Sequence, residues 1–387
     1  MAKSLLKQLP EIIANGCKKA ECNCDAPLIF SFFSGAGFLD LGFEKAGYEI
    51  GYVNEVHKPF LDAYKHARQK MYTPPPRHGY FEGDIESCLF GEEAKRLSSL
   101  VRAAKKDKQL VGFIGGPPCP DFSVGGKNRG QHGENGKLSQ TYVDLICQQK
   151  PDFFVFENVK GLWRTARHRQ FFDDLKRQLK RAGYSCTERL INAIEYGVPQ
   201  DRERIILFGV QQKQAKANLP KFNWLSHTLY PEGKALSYLW PDAQPTEIKR
   251  PQPKRIPVEL TIQHWFEKNC VENHPNAHHQ FKPRAGLAKF ETVHEGDDSK
   301  KSYKRLHRWR YSPTAAYGNN EVHIHPYLPR RISVAEALAI QSLPKEFELP
   351  PGMTLSNMFK TIGNGVPFLA ARGLALTILE FLKGAGK

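Results

Sequence analysis

The feature that most constrains the fold of this chain is an alternation of short apolar runs with amphipathic stretches between residues 28 and 210. The apolar runs are Leu28–Phe33, Ile50–Asn54, Val111–Ile114, Phe153–Phe156 and Ile205–Val210. Between them lie segments such as His168–Ala182, in which apolar residues recur with helical spacing. Because strands buried on both faces are continuously apolar, this alternation predicts a parallel sheet covered by helices on both sides. We therefore expect an α/β fold with a doubly wound sheet.

The pattern changes in residues 211–330, which are rich in Pro and His and have no sustained period. Pro241–Pro257 is typical of a linker or an irregular loop. The C-terminal section is helical again, with Ser333 expected to cap Val334–Leu343 and a closing amphipathic helix expected over Val366–Leu382. We therefore predict four parts: an N-terminal extension (1–26), a main domain (27–211), a smaller loop-rich domain (212–325) and a C-terminal segment that returns to the main domain (326–387).

The charge of the chain points to a polyanionic partner. With 56 Lys and Arg residues against 40 Asp and Glu residues, the formal net charge is +16, and a positive field of this size attracts phosphate-bearing ligands such as nucleic acid. Six Lys and Arg residues between Lys300 and Arg310 are interleaved with Tyr303 and Trp309. Such a strip suits phosphate contacts and stacking, although a solvated charged face is the commoner meaning of one charge run. Its candidate contact residues are Lys304, Arg305, Arg308 and Arg310.

Composition also indicates the compartment. The stretch Pro27–Leu41 is apolar but interrupted, and it is shorter than a membrane span. We see no secretion signal, so we expect a soluble cytoplasmic protein whose eight cysteines are free thiols. Two groups of possible metal ligands lack the paired spacing of a structural zinc site, and we expect no metal there. They are Cys17, Cys22 and Cys24, and Cys270, His274, His278 and His279.

A glycine-rich turn follows the first apolar run. Ser34-Gly35-Ala36-Gly37 separates the predicted strand from a helical segment that begins at Phe38. Glycines let the backbone approach a nucleotide at the carboxyl edge of a sheet. Glu55 ends the second strand, where its carboxylate could accept ribose hydroxyls, and Asp84 could accept from an adenine amino group. These residues indicate an adenosine-containing ligand, with an ordinary tight turn as the alternative.

Further strand ends carry candidate catalytic groups. Cys119 follows the third run on a Gly/Pro loop, a placement that favours a nucleophile, with an inert thiol as the alternative. Glu157 follows a fully apolar run, and partial desolvation is expected to raise the pKa of its carboxyl enough for proton donation near neutral pH. Arg202 and Arg204 precede the last run and offer guanidinium donors to a polar ring or a phosphate.

In this order, these blocks resemble a DNA (cytosine-5) methyltransferase, and the resemblance covers residues 28–210 and 325–382. The matching blocks are the cofactor loop Phe33-Ser34-Gly35-Ala36-Gly37, the catalytic loop Pro118-Cys119, the cytosine-binding strand end Glu157-Asn158-Val159, the paired arginines within Gln200–Arg204, the helix within Arg331–Pro344 and the returning segment Gly363-Asn364-Gly365-Val366-Pro367. Two positions depart from the family pattern. Pro120 stands where glutamine is common, and Phe38 stands where a third glycine is frequent.

The resemblance implies a Rossmann-like, S-adenosylmethionine-dependent methyltransferase with a target recognition domain. It implies that Cys119 adds to carbon 6 of a cytosine flipped out of duplex DNA, that Glu157 protonates or hydrogen-bonds nitrogen 3, and that Arg202 and Arg204 stabilise the ring oxygen or order the loop. S-adenosylhomocysteine is then the product. The implied cofactor contacts are Phe33, Gly35, Gly37, Glu55, Asp84, Ile85, Leu138 and Asn364. From the glycine-flanked loop Pro120–Gly136, the implied DNA contacts are Ser123, Lys127 and Arg129.

Three alternatives stay open at this level. Transfer-RNA cytosine-5 methylation uses the same blocks, but the long module between Val210 and Val322 favours DNA, since base-specific readout needs an added surface. A catalytically silent DNA-binding regulator would not need Cys119 and Glu157, and a dinucleotide oxidoreductase would share only the glycine turn. The resemblance further implies a monomer associated with the bacterial nucleoid and a restriction-modification setting, in which a cognate endonuclease acts separately.

Overall fold

The computed structural model describes residues 26–118, 134–164, 166–212, 219–282, 287–300, 302–314, 317 and 322–385. Its centre is a seven-stranded sheet with the strand order β3-β2-β1-β4-β5-β7-β6. The strands are β1 (Leu28–Phe32), β2 (Glu49–Glu55), β3 (Tyr80–Glu82), β4 (Val111–Gly115), β5 (Phe153–Val159), β6 (Tyr184–Asn192) and β7 (Glu203–Gln211). The α/β class and the doubly wound sheet are therefore confirmed.

The direction of the strands differs from the expectation of a parallel sheet. Strands β1 to β5 are parallel to one another, whereas β7 runs antiparallel to both β5 and β6. The physical reason is the link between β6 and β7, residues 193–202, which contains one 3-10 turn at Ala193–Tyr196 and no crossover helix. A parallel pair needs a longer crossover, so this short link returns the chain antiparallel.

Helices cover both faces of the sheet because each central strand sends alternate side chains to opposite sides. On β1, Leu28, Phe30 and Phe32 join one buried cluster, and Ile29 joins the other. The helices are α1 (Phe38–Lys45), α2 (Lys58–Lys70), α3 (Gly91–Lys106), α4 (Glu134–Gln149), α5 (Lys160–Arg164), α6 (Ala166–Arg181), α7 (Ile262–Lys268), α8 (Leu287–Thr292), α9 (Val334–Ile340), α10 (Leu355–Asn364) and α11 (Phe368–Ala385).

The C-terminal segment packs against the main domain. Ser333 begins α9 with a capping box, in which its hydroxyl accepts from the Glu336 N–H and the Glu336 carboxylate accepts from the Ser333 N–H. Among the described residues, one stretch, Leu355–Gly384, is long and apolar enough to cross a membrane by composition alone. Its second half, α11, packs against α1 and buries Leu374 and Ile378 in the same cluster as the sheet. α11 is therefore a core helix of the domain.

The loop-rich module contains a two-stranded sheet of β8 (Lys304–Arg305) and β9 (His323–Ile324) and two small apolar clusters. Its helix α7 does not pack in either cluster. Trp265 and Phe266 of α7 instead belong to a larger core that α1, α2, α9 and α10 share. The module is thus anchored on the main domain, and the boundaries at 211/212 and 325/326 stay predictions.

Candidate active site

The candidate site lies at one edge of the sheet, where the carboxyl ends of the five parallel strands meet. Ligands of open α/β sheets bind at this edge, beside the strand where the order reverses. Phe33 follows β1, Glu55 ends β2, and Asp84 lies two residues after β3. Pro118 follows β4, and Glu157 lies near the end of β5. The sheet therefore brings together the predicted cofactor residues and the predicted acid.

The glycine turn adopts left-handed backbone conformations and is tied to Glu55. Phe33, Gly35 and Gly37 have φ angles of 53°, 56° and 79°. The Gly35 N–H donates to Glu55 Oε2 at 2.8 Å, and the His57 N–H donates to Glu55 Oε1 at 2.8 Å. The carboxylate is thus oriented by backbone donors, with further lone pairs left to accept from a ligand. A Phe held at positive φ is a strained position of the kind that clusters at ligand sites.

The remaining predicted cofactor residues include both a carboxylate and apolar side chains. Asp84 accepts from the Glu86 N–H at 2.8 Å and caps a short 3-10 helix that begins at the buried Ile85. Leu138 and Phe33 pack against the same apolar cluster, where the Phe33 ring meets Tyr142 edge-on. A purine or a thioether chain fits such a surface, which combines apolar side chains with placed carboxylates.

One buried polar atom at the turn has no partner. Ser34 Oγ is inaccessible to solvent and makes no hydrogen bond to any residue that the structure describes. The hydroxyl of Ser34 can donate and the carboxylate of Glu55 can accept, so the turn suits a ligand with both donors and acceptors, as an adenosyl amino acid has.

Glu157 is buried and paired on one oxygen. The Nε of Arg204 lies 2.9 Å from Glu157 Oε1. Burial raises the pKa of Glu157 above its usual value, and the charges of Arg204 and Arg202 partly oppose that shift. The second oxygen has room only because residue 116 is glycine: a Cβ there would lie 2.4 Å from Glu157 Oε2. The site therefore holds a carboxyl whose pKa is raised by burial, in contact with the Arg204 guanidinium.

The two predicted arginines have different partners. Arg202 is buried, and its Nη2 donates to the carbonyl oxygen of Gly363, while its backbone N–H donates to Asn192 Oδ1 at 3.0 Å. Arg204 faces Glu157. Arg202 therefore connects the chain just before β7 to the returning segment, whereas Arg204 contacts the predicted acid, Glu157. Sequence reasoning missed Asn192, because it ends β6, a half-buried strand without an apolar run.

The returning segment completes the edge of the site. Asn364 is exposed at the end of α10, directly after the buried Gly363. Phe38, the departure from the family pattern, is buried and packs edge-on against Phe347 with ring centres 5.1 Å apart. The bulky residue at position 38 therefore joins α1 to the C-terminal segment instead of occupying the turn.

The predicted nucleophile lies outside the described residues, as do Ser123, Lys127 and Arg129 and the clustered Cys17, Cys22 and Cys24. Before Cys119, the structure describes the chain as far as Pro118. Asn158 Nδ2 donates to the Pro117 carbonyl oxygen at 3.3 Å, and this bond ties the last described residues before Cys119 to the strand that carries Glu157. The backbone leading to Cys119 is thus anchored next to the acid.

The basic strip between Lys300 and Arg310 is less accessible to DNA than its sequence predicts. Arg305 is buried, and its guanidinium donates to the carbonyl oxygens of Phe290, Val293, His325 and Leu328. The prediction that Arg305 contacts DNA disagrees with this placement, because the guanidinium is already surrounded by acceptors and shielded from solvent.

The other members of the strip differ in exposure. Arg308 is paired with the buried Glu295, whereas Arg310 donates to the Gly296 carbonyl oxygen at 3.2 Å and lies 3.8 Å from Asp298. Lys304 is half-exposed on β8. Of the four candidate contact residues, Lys304 and Arg310 therefore have more accessible charge than Arg305 and Arg308. Cys270 is exposed and His274 is buried, and no group of three metal-ligating side chains occurs among the described residues.

Comparison with solved structures identifies the class of this fold and site. The fold matches a DNA modification methyltransferase encoded within an Escherichia coli prophage, with a TM-score of 0.62, 21% identity and coverage of 92% of this chain and 100% of that chain. It also matches the S. pombe Dnmt2 methyltransferase, with a TM-score of 0.58, 12% identity and coverage of 93% and 99%. The chain thus shares its fold with these two methyltransferases.

Sequence comparison narrows this class to one family. Residues 28–380 match the model of the C-5 cytosine-specific DNA methylases, and the chain belongs to that family. It is 67% identical to the Type II methyltransferase M.NmeDI of Neisseria meningitidis serogroup C over 92% of this chain and 84% of that protein. It is 28% identical to the Type II methyltransferase M.FnuDI of Fusobacterium nucleatum over 92% of this chain and 94% of that protein. The chain is therefore a C-5 cytosine DNA methyltransferase.

Proposed function

We propose that this enzyme methylates carbon 5 of a cytosine that is flipped out of a short specific sequence in duplex DNA, through a covalent bond between Cys119 Sγ and carbon 6. The observation that carries the proposal is the buried, Arg204-paired carboxyl of Glu157, placed on the strand next to the one that leads to Cys119. A stacked base is not accessible to either group, so the target must leave the duplex at a cost of about a few kcal/mol.

The chemistry follows from the weak nucleophilicity of carbon 5. The Cys119 thiolate adds to carbon 6, the carbon 5–carbon 6 double bond opens, and its electron pair moves toward carbon 5. Glu157 donates its proton or a hydrogen bond to nitrogen 3, which relieves the negative charge that the ring gains. After carbon 5 accepts the methyl group, it loses its proton to a base and the Sγ–carbon 6 bond breaks, so that the thiolate is regenerated.

S-adenosylmethionine supplies an electrophilic methyl group on a sulfonium, and S-adenosylhomocysteine is left as the product. In our proposal, the turn at Phe33, Gly35 and Gly37 holds the amino acid portion, Glu55 accepts from the ribose hydroxyls, and Asp84 with Ile85 contacts the adenine. Leu138 and Asn364 close the site from α4 and from the end of α10. The tie between Gly35 and Glu55 and the unpaired Ser34 Oγ support this assignment.

Duplex DNA is the proposed partner. We propose phosphate contacts from Ser123, Lys127 and Arg129 in the catalytic loop and from Lys304 and Arg310 in the loop-rich module, which would act as the target recognition domain. The Type II designation of the relatives supports a restriction-modification setting in the bacterial cytoplasm, with a cognate endonuclease acting separately on the same sequence. We propose that the enzyme works as a monomer.

Expression in a host that lacks cytosine methylation, followed by bisulfite sequencing of its DNA, tests this function. The wild-type chain is expected to protect one cytosine in one short sequence context, and Cys119→Ser is expected to leave the DNA unmethylated. Methyl incorporation into transfer RNA but not into duplex DNA would contradict the proposal in favour of RNA methylation. A fully active serine variant would contradict the covalent route.

A further inference from the structure

A cluster of charged and polar side chains, most of them buried, lies behind the glycine turn, and it consists of two residues on α1 and two on α2. Asp40 and Glu44 are four residues apart on α1, and Tyr64 and Arg68 are four residues apart on α2. The Nε of Arg68 lies 2.9 Å from Glu44 Oε2, and the guanidinium is stacked on the Tyr64 ring at 4.5 Å. Because residues four apart share one helix face, the cluster fixes α1 against α2. We call these four residues the Arg68 cluster.

The cluster is connected to the turn itself. Arg68 Nη2 donates to the Gly37 carbonyl oxygen at 3.0 Å, and the Leu41 N–H donates to the same oxygen at 2.9 Å. A Cβ at Gly37 would lie 2.4 Å from the Tyr64 ring, so α2 fills the space directly behind the turn. The Gly37 N–H in turn donates to the Ser34 carbonyl oxygen at 2.8 Å. Arg68 therefore sets the position of the turn from its protein side.

The cluster also extends to the first strand. Ser31 Oγ on β1 donates to Asp40 Oδ1 at 2.8 Å. β1, α1 and α2 thus meet at one set of polar contacts immediately behind the residues that carry Gly35 and Glu55. An ordinary α/β core would use apolar side chains at this helix crossing.

The stability of the fold alone does not explain the Arg68 cluster. Arg68 is 2% exposed and Asp40 is 1% exposed. Burial raises the pKa of both the Asp40 and the Glu44 carboxyls, and the charge of Arg68 opposes the shift in each. Arg68 Nη1 is buried without a hydrogen-bond partner among the described residues. Apolar residues of similar volume often stabilise such a site as well or better, so the charges point to a requirement of the site beside them.

We propose that Arg68 is a positioning residue for the methyl donor: it holds the Gly37 carbonyl, and through it the left-handed turn of residues 33–37, in the conformation that binds S-adenosylmethionine. The proposal rests on the proposed function, in which this turn and Glu55 form the donor site. Arg68 acts through the turn and touches neither the cytosine nor the donor. Its loss should weaken donor binding selectively, leaving the methyl-transfer step and DNA binding intact.

Arg68→Met and Arg68→Lys test this proposal, with Arg77→Met as the matched control. Arg77 pairs with Glu49 at the opposite end of β2, away from the turn. The measurements are the KM for S-adenosylmethionine, the KM for DNA, kcat at saturating donor, and calorimetric binding of S-adenosylhomocysteine. For Arg68→Met we expect a rise of about tenfold in the donor KM and in the S-adenosylhomocysteine Kd, with kcat and the DNA KM within about twofold of wild type. Arg68→Lys should fall between Arg68→Met and wild type, and Arg77→Met should match wild type.

An unchanged donor KM in Arg68→Met would overturn the proposal, as would an equal loss in kcat and in both KM values, which is the signature of general damage. If Arg68→Met fails to fold, Arg68→Lys decides by the same criteria. Glu55→Gln serves as the positive control for the donor site. If the wild-type protein fails to bind S-adenosylhomocysteine, the proposed function itself fails. If the wild type binds, Glu55→Gln does not and Arg68→Met binds normally, only the role of Arg68 is rejected.

Discussion

Two buried Glu–Arg pairs, one at the sheet edge and one in the loop-rich module, use the same residue types in different ways. At the sheet edge, Glu157 meets Arg204 through one close contact of 2.9 Å, and its second oxygen faces the gap at Gly116. In the module, Glu295 accepts from the backbone N–H, Nε and Nη2 of Arg308, each at 2.8 Å.

The difference between the pairs lies in how completely each carboxylate is satisfied. Glu295 uses both oxygens within the protein, and the Arg308 guanidinium also stacks over the Tyr327 ring at 4.4 Å. Glu157 has one close ion contact, with Arg204, and burial raises its pKa. A fully bonded carboxylate holds structure, whereas a desolvated carboxylate with fewer bonds can hold and donate a proton. The Glu295–Arg308 pair is therefore suited to holding the module together, and the Glu157–Arg204 pair is suited to acid catalysis.

The largest expected effect comes from Glu157→Gln. The amide preserves the shape of the side chain but cannot donate the carboxyl proton, so we expect methyl transfer to fall about a thousandfold. Single-turnover methylation of duplex DNA measures the rate of methyl transfer, and thermal unfolding shows whether the variant folds normally. A rate within a few-fold of wild type, in a protein that folds normally, would contradict the role of Glu157.

Glu295→Gln is the counterpart in the module. Removing the charge of the buried Glu295 leaves the half-buried Arg308 guanidinium without its ion partner, and we expect a loss of about 3 kcal/mol in the free energy of unfolding. Denaturant unfolding checks this value. The turnover of the folded fraction should stay close to that of wild type. A large loss of turnover without a loss of stability would remove the distinction between the two pairs.

Gly116→Ala tests the gap beside Glu157. The added methyl group would lie 2.4 Å from Glu157 Oε2 and must displace the carboxyl, so we expect kcat to fall about thirtyfold. Gly352→Ala is the matched control, because a Cβ at that position would meet no atom of the described residues within 4 Å. Equal activity of the two variants would show that the position of the Glu157 carboxyl does not matter.

The smallest expected effect is a shift in the pH profile of Arg204→Met. The Arg204 charge lowers the pKa of Glu157 against the larger effect of burial. Without that charge the acid keeps its proton to higher pH, so the limb of kcat/KM that follows loss of the Glu157 proton should move to higher pH. A downward shift would contradict the assignment of that limb to Glu157.

Much of the main domain could be predicted from the sequence, for a simple physical reason. Strands β1, β2, β4, β5 and β7 are buried on both faces and therefore appear as apolar runs. Strand β3 has three residues and β6 is half-buried along most of its length, so neither produces such a run. The reversal of β7 was also hidden, because the direction of a strand depends on its connection and not on its apolar residues.

The site was predictable where a residue follows a strand, and less so where it depends on distant partners. Glu55 and Glu157 lie near the ends of strands that the sequence predicts, whereas Asp84 follows β3, which the sequence does not predict. The carbonyl oxygens that enclose Arg305 come from residues as far away as Leu328, and no local pattern of charge reveals them. The contacts of Arg68 were equally hidden in the sequence, since they arise where α2 packs against α1 and the glycine turn.

The most direct test of the central claim is covalent trapping on duplex DNA in which 5-fluorocytosine replaces cytosine, followed by mass spectrometry of the digested complex. Fluorine cannot leave carbon 5 as a proton does, so the Sγ–carbon 6 bond persists after methyl transfer. We expect a methylated fluorocytosine attached to the peptide that contains Cys119 in the presence of S-adenosylmethionine. Attachment at another residue, or turnover of ordinary DNA without any trapped complex, would contradict the account.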